Sequence, residues 1–163
     1  MNRTAEEIRR MRKAFFNERA EGWIDAWYRD PATGRMDRHE KDFERLFSLL
    51  PLTPGDRVLD AGCGTGVLVP FILERITGTG TLYELDYAEK MIETNRRLHD
   101  AGNVRFIVAE AENAPLEEGS CDAVVCFSCF PHFHDKGKAL NALSRILKPG
   151  GYLAVAHFDS SEG

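Results

Sequence analysis

Val58-Leu59-Asp60-Ala61-Gly62-Cys63-Gly64-Thr65-Gly66 decides the reading of this chain. A short apolar strand runs into three glycines spaced G-x-G-x-G, and an apolar helical stretch from Val67 to Ile76 follows. Glycine tolerates positive φ and lets a ligand come close to the backbone. The start of the following helix offers N–H groups with no partner inside that helix. Asp60 stands just before the loop, and an acid there suits a cationic ligand group better than a pyrophosphate. A dinucleotide fingerprint wants G-x-G-x-x-G, and Val67 sits where its third glycine belongs. A tight turn that only connects strand to helix is the competing reading of the loop by itself.

Outward from the loop, strand and helix alternate. Strands are predicted at Arg57–Ala61, Thr81–Asp86, Val104–Ala109, Asp122–Ser128 and Tyr152–Phe158. Helices are predicted at Val67–Ile76 and at Ala88–Ala101, the latter closed by Gly102. Asp135 can cap a third, carrying Ala139, Leu140, Leu143, Ile146 and Leu147, and Lys148-Pro149-Gly150-Gly151 turns it into the last strand. Alternation of this kind argues for an α/β fold whose parallel sheet has right-handed crossovers and helices on both faces. Ligands of such sheets bind beyond the carboxyl ends of the strands. One acid stands out there: Asp86, 20 residues after Gly66, can accept hydrogen bonds from both hydroxyls of a ribose. Its competing role is to cap the helix that starts at Ala88.

Upstream of the sheet, Thr4 and Glu7 form a capping box, and Ile8, Met11, Phe15 and Phe16 recur at helical spacing. Trp23, Ile24, Trp27 and Tyr28 mark a second amphipathic stretch, which Asp30-Pro31-Ala32-Thr33-Gly34 breaks. A third helix is predicted from about His39 to Leu50, with Phe43, Leu46, Phe47 and Leu50 inward. The aromatic stripe reads as a core face or as a lid. The Arg-rich start, Arg3, Arg9, Arg10, Arg12 and Lys13, alternates with acids and reads as a solvated helix face. Residues 1–38 are expected to form an N-terminal helical lid on a domain covering 39–163.

Composition narrows the function classes. The formal net charge of −5 argues against bulk nucleic-acid binding, which favours a basic face. No apolar run reaches the roughly 18 residues that span a bilayer. MNRTAEEIRRMRKAFF is charged throughout and has no apolar signal core. With Cys63, Cys121, Cys126 and Cys129 in apolar or Gly-rich contexts, reduced thiols and a cytoplasmic location are expected.

Taken together, these segments resemble the class I S-adenosylmethionine-dependent methyltransferases. VLDAGCGTG is similar to that family's first motif, and ELDYAEKMIETNRR to its second-strand segment. FIVAEAENAPL resembles the segment that contacts adenine, and CDAVVCFSCFPHF the fourth strand with the loop facing the methyl donor. LSRILKPGGYLAVAHF resembles the helix, turn and fifth strand that follow. The likeness covers roughly residues 40–158 and leans toward small-molecule enzymes of the quinone-biosynthesis type. It implies a Rossmann-like doubly wound sheet, S-adenosylmethionine as cofactor and a small-molecule methyl acceptor.

Residue by residue, the resemblance implies that Asp60 with Gly62, Cys63 and Gly64 holds the methionine part of the cofactor. Asp86 would bind the ribose. Glu110 would accept from the adenine amino group, with the Ala111 N–H facing the ring and Tyr87 and Met91 packed against it. Phe127 and Ser128 would border the methionine end. Glu110 stands where the family often has Asp, and Glu112 is a competing acceptor. A nucleotide-dependent oxidoreductase and a cofactor-binding module or fragment without transfer activity are the alternative readings.

Two further features carry expectations. His132 and His134 follow the fourth strand, and His157 and Asp159 end the fifth, so the four are expected to converge near the methyl donor. His132 is the candidate base. Ordinary loop histidines are the plain alternative, and metal binding a third. Cys126 and Cys129 are spaced C-x-x-C, but a zinc site would want a second ligand pair. The family's sheet normally has seven strands, and five are visible here. The uncovered edge of the fifth strand is therefore expected to self-associate, or to belong to a fragment of a longer chain.

Overall fold

The computed structural model describes residues 3–158. Five strands form one sheet: β1 Arg57–Ala61, β2 Thr81–Asp86, β3 Val104–Val108, β4 Cys121–Phe127 and β5 Leu147–Ala156. Their order is β3-β2-β1-β4-β5, and every pairing is parallel. β1 and β4 are neighbours although two strands separate them in sequence, so the order reverses at β1. The glycine loop leaves β1 at that reversal.

Period-2 alternation sorts side chains onto the two faces. Val58, Leu82, Ala123 and Val125 pack beneath Phe43 and Phe47 of α3 (Asp37–Leu49) and Ile72 and Ile76 of α4 (Val69–Ile76). Leu59, Leu85, Val124 and Cys126 pack on the other face against Ala139, Leu143 and Ile146 of α6 (Lys136–Ile146). β4 is buried along both faces, as its continuous apolar run predicts. α1 (Ala5–Arg19) begins with the predicted capping box, and α2 spans Trp23–Tyr28.

Several boundaries move, each for a local reason. α4 starts two residues later than predicted, because Val67 and Leu68 belong to the turn out of the glycine loop. α5 runs Glu89–Leu98 and ends at His99, not at Gly102, where φ is not left-handed. The His99 ring is drawn in beside Gly66. β3 ends one residue early, and β4 ends at Phe127, because Ser128 turns the chain with φ 52°. Leu147 belongs to β5 rather than α6, and Lys148–Gly151 forms an irregularity within β5 rather than a turn before it. β5 also stops at Ala156, short of Phe158. Among the described residues no strand pairs with its outer edge, where Tyr152 and Val155 are about half exposed.

Space differs sharply along the loop. A Cβ on Gly66, at φ +87°, would stand 2.8 Å from both Asn95 Cγ and His99 Cδ2. A Cβ on Gly64, at φ +56°, would meet only Trp23 Nε1, at 3.9 Å. Gly66→Ala should therefore cost about 2–4 kcal/mol, from left-handed strain plus overpacking. Gly64→Ala should cost about 1–2 kcal/mol, from strain alone. Urea unfolding of the two variants measures the difference, and equal costs would show that the Asn95–His99 contact gives way freely.

Candidate functional site

β1 and β2 run side by side with Asp60 opposite Glu84, and Asp86 follows two residues on. The pleat therefore places three carboxyls on one face at the carboxyl end of the sheet. All three are at least nine-tenths buried. Glu84 Oε2 meets Asn95 Nδ2 of α5 at 2.6 Å, and that amide also reaches Cys63 Sγ and the Gly64 carbonyl. Asp86 accepts from the Gly64 N–H at 3.0 Å and from the Ala88 N–H at 2.9 Å. It thus caps the turn before α5 and pins the glycine loop at once. No described donor reaches the Asp60 carboxyl.

Burial without a facing cation raises the pKa of each acid. Asp60 is pushed up to about 8, by burial first and then by the Asp86 charge. Asp86 is pushed up to about 6 by burial, against the pull of its backbone donors. Glu84 is raised well above the usual carboxyl range, chiefly by burial and then by Asp60.

Above these acids lies a cavity of about 860 Å³. Its floor is the glycine loop with Asp60 and Asp86. One wall holds Tyr87, Met91, Glu110 and Ala111. Phe127 and Ser128 border the opposite side, and His132 faces in from the loop after β4. All the sequence-predicted site residues therefore border a single space, Gly62, Cys63 and Gly64 included. Glu110 forms an ion pair with Arg9 of α1. Its competitor Glu112 is engaged, accepting from the Asp135 N–H at 2.8 Å. The Tyr87 hydroxyl is buried without a hydrogen-bond partner.

The N-terminal segment roofs this space. α1 buries no residue in the core; Ile8, Phe15 and Phe16 face the cavity. Lys13 and Asn17 tie α1 to Glu89 at the start of α5. Arg9 and Arg12 are exposed, as expected of a solvated helix face, and also border the cavity. The Trp23 and Trp27 rings meet at 5.4 Å, tilted by 41°, and the aromatic wall continues through Tyr28 to Phe127.

The histidines only partly meet the expected arrangement. His132, His134 and His157 all border the cavity, while Asp159 lies outside the described residues. Among the described residues no three His, Cys, Asp or Glu side chains are grouped to hold a metal ion. Burial, then the charges of Arg12, His157 and Lys136, hold His132 below the usual imidazole range. The four cysteines are free thiols; Cys129 Sγ donates to the Ala61 carbonyl at 2.9 Å beneath the loop. Sequence reasoning passed over Glu84 and Asn95. An acid inside the apolar run Leu82–Leu85 was the signal for the first, and an amide four residues after Met91 for the second.

Known proteins match this architecture. A methyltransferase-domain family model fits residues 59–155. A ubiquinone/menaquinone biosynthesis C-methyltransferase from Vibrio campbellii is 37% identical over 109 residues, covering 64% of this chain and 42% of that protein. An O-methyltransferase from Aspergillus nomiae is 32% identical over 140 residues, covering 82% of this chain and 59% of its own length. The chain spans about half the length of these curated relatives. A crystal structure of an S-adenosylmethionine-dependent methyltransferase from Aquifex aeolicus superposes with a TM-score of 0.74 at 24% identity, covering 90% of this chain and 77% of that one. With a family model fitted across more than half its residues, over the strands and loops that build the cavity, the chain belongs to the class I S-adenosylmethionine-dependent methyltransferases.

Proposed function

We propose that this chain binds S-adenosylmethionine in the cavity above the glycine loop and serves transfer of its methyl group to a small-molecule acceptor. The observation that carries this reading is the buried Asp60 carboxyl, which faces no cation, beside a Gly64 whose Cβ direction is open. A cationic ligand lying on the loop backbone answers both features. The residues fit the cofactor elsewhere too. Asp86 keeps lone pairs for the ribose hydroxyls after meeting two backbone donors. Glu110 can exchange Arg9 for an adenine amino group. Tyr87 and Met91 supply an apolar bed for the ring, with Met91 buried against Ala88 and Ala20.

When bound, the cofactor supplies a methyl group already activated by its sulfonium. The chain then has to bind, align and exclude water. Asp60 and the loop hold the methionine end. α1 and α2 close over the cavity as a lid: Ile8, Phe15 and Trp27 border it, while Phe16, Trp23 and Tyr28 border it and also pack against the body beneath. For an oxygen acceptor, His132 takes the proton; its lowered pKa keeps the imidazole neutral at neutral pH and free to accept. Four free cysteines favour a reducing, cytoplasmic setting. Among the described residues no helix is long and apolar enough to cross a membrane.

Calorimetry with S-adenosylmethionine, S-adenosylhomocysteine and NAD tests the reading. The first two should bind; NAD binding in their place overturns it. Asp86→Ala removes charge-assisted hydrogen bonds worth about 1.5–3 kcal/mol each, so S-adenosylhomocysteine affinity should fall at least about tenfold. Circular dichroism checks that this variant keeps its fold. Gly64→Val should abolish binding in the same assay while the helical signal stays.

A pH series tests the carboxyl cluster. Asp60 and Asp86 keep their protons in the folded chain up to about 8 and about 6. Unfolded Asp releases its proton near ~3.9, so the folded state binds more protons in between. Stability from these groups is then present at low pH and lost as pH rises from ~4 towards ~8. The urea midpoint of the ligand-free chain should fall across that window, and Asp60→Asn should flatten the fall. A rising midpoint for the unmodified chain would refute the assignment.

A further inference from the structure

One side of the cavity carries positive charge that no carboxylate among the described residues pairs. The charge comes from Arg12 of α1 and Lys136 in the first turn of α6, and the His157 imidazole, a hydrogen-bonding group, joins them from the chain after β5. All three lie close enough to His132 to bear on its charge. The ion pairs of the described residues leave Arg12 and Lys136 without a carboxylate, whereas neighbouring Arg9, Lys13 and Lys138 each have one. The acids of the cavity are occupied or lie away: Glu110 by Arg9, Glu112 by the Asp135 N–H, Asp86 by the loop. Asp60 sits at the end of β1, beneath the loop.

This local excess runs against the whole-chain balance of −5. It also borders an apolar surface made by Trp27, Tyr28, Phe127 and Phe158. An anion taken out of water needs paired, hydrogen-bonding cations, and guanidinium and ammonium groups on separate elements supply them. We propose that the methyl acceptor of this site is a molecule with an apolar body and an anionic group, a carboxylate or a phosphate, and that Arg12, Lys136 and His157 seat that group beside His132. The proposal rests on the reading of the cavity as a methyl-transfer site. Selectivity follows from charge: an anion is drawn toward a cavity holding a sulfonium, while a cationic amine is repelled by the seat.

The test starts with S-adenosylhomocysteine alone, so failure of the cofactor reading shows in that first titration. Benzoate, phenyl phosphate and uncharged benzamide are then titrated calorimetrically into the loaded chain and into the ligand-free chain. One or both anions should bind at least about tenfold more tightly than benzamide, and the benzoate and phenyl phosphate arms separate carboxylate from phosphate. The double variant Arg12→Gln, Lys136→Gln should lose at least about tenfold in anion affinity and keep its S-adenosylhomocysteine affinity within about twofold. Benzamide binding as well as the anions overturns the proposal. So does an equal loss of S-adenosylhomocysteine affinity in the double variant, because the cations would then serve the cofactor's own carboxylate. The ligand-free arm decides the anion seat even when the first titration shows no binding.

Discussion

The burial of three carboxyls on one face of two adjacent strands is the constraint on which the rest depends. Parallel pairing puts Asp60 beside Glu84, and the pleat brings Asp86 to the same side. Removing ionised carboxylates from water without partners is costly, so such groups stay protonated or await a cation. The three acids meet this cost differently. Glu84 is raised well above the usual carboxyl range by burial and accepts from the Asn95 side-chain amide at 2.6 Å, a contact within the protein rather than with the cavity. Asp86 is satisfied by backbone N–H groups of the loop and of the turn before α5. Asp60 alone faces the cavity with no described donor on its carboxyl.

The glycine loop follows from that arrangement. It must pass over Glu84 and Asn95 closely enough for the Asn95 amide to reach the Gly64 carbonyl. Side chains at Gly62 and Gly66 would collide there, with Cys129 in one case and with Asn95 and His99 in the other. The outer two glycines are therefore fixed by packing beneath the loop, and Gly64 by its openness to the space above. Drawing His99 into this cluster also sets where α5 ends. Helix boundary, loop path and cavity floor are one packing problem.

The roof is built on a different principle. α3 buries Phe43 and Phe47 in the core and belongs to the body of the sheet. α1 has no fully buried residue; Phe16 packs against Ala20, Ala88 and Met91, and largely exposed ion pairs with the Asn17 contacts tie the helix to Glu110 and the start of α5. Exposed pairs of this kind contribute little to stability. Ile8 and Phe15 of the same helix are partly exposed and border the cavity.

The sequence by itself determined the strands, their parallel character and the position of the site. The G-x-G-x-G loop, Asp60 and Asp86 are local signals, because backbone freedom and the placing of an acid at a strand end are decided within a few residues. Phe43, Leu46, Phe47 and Leu50 were legible as a core face from helical spacing alone, and all four are buried. Only the tertiary structure decided which charges share a space. Arg12, His157 and the segment carrying both His132 and Lys136 lie far apart in sequence, and no periodicity links them. Glu84 and Asn95 likewise acquire meaning only when α5 packs against β2. The apolar stripe of α1 looks the same in sequence whether it faces a core or a cavity. What differs is the surface opposite it, and that surface is assembled from strand ends that only folding brings together.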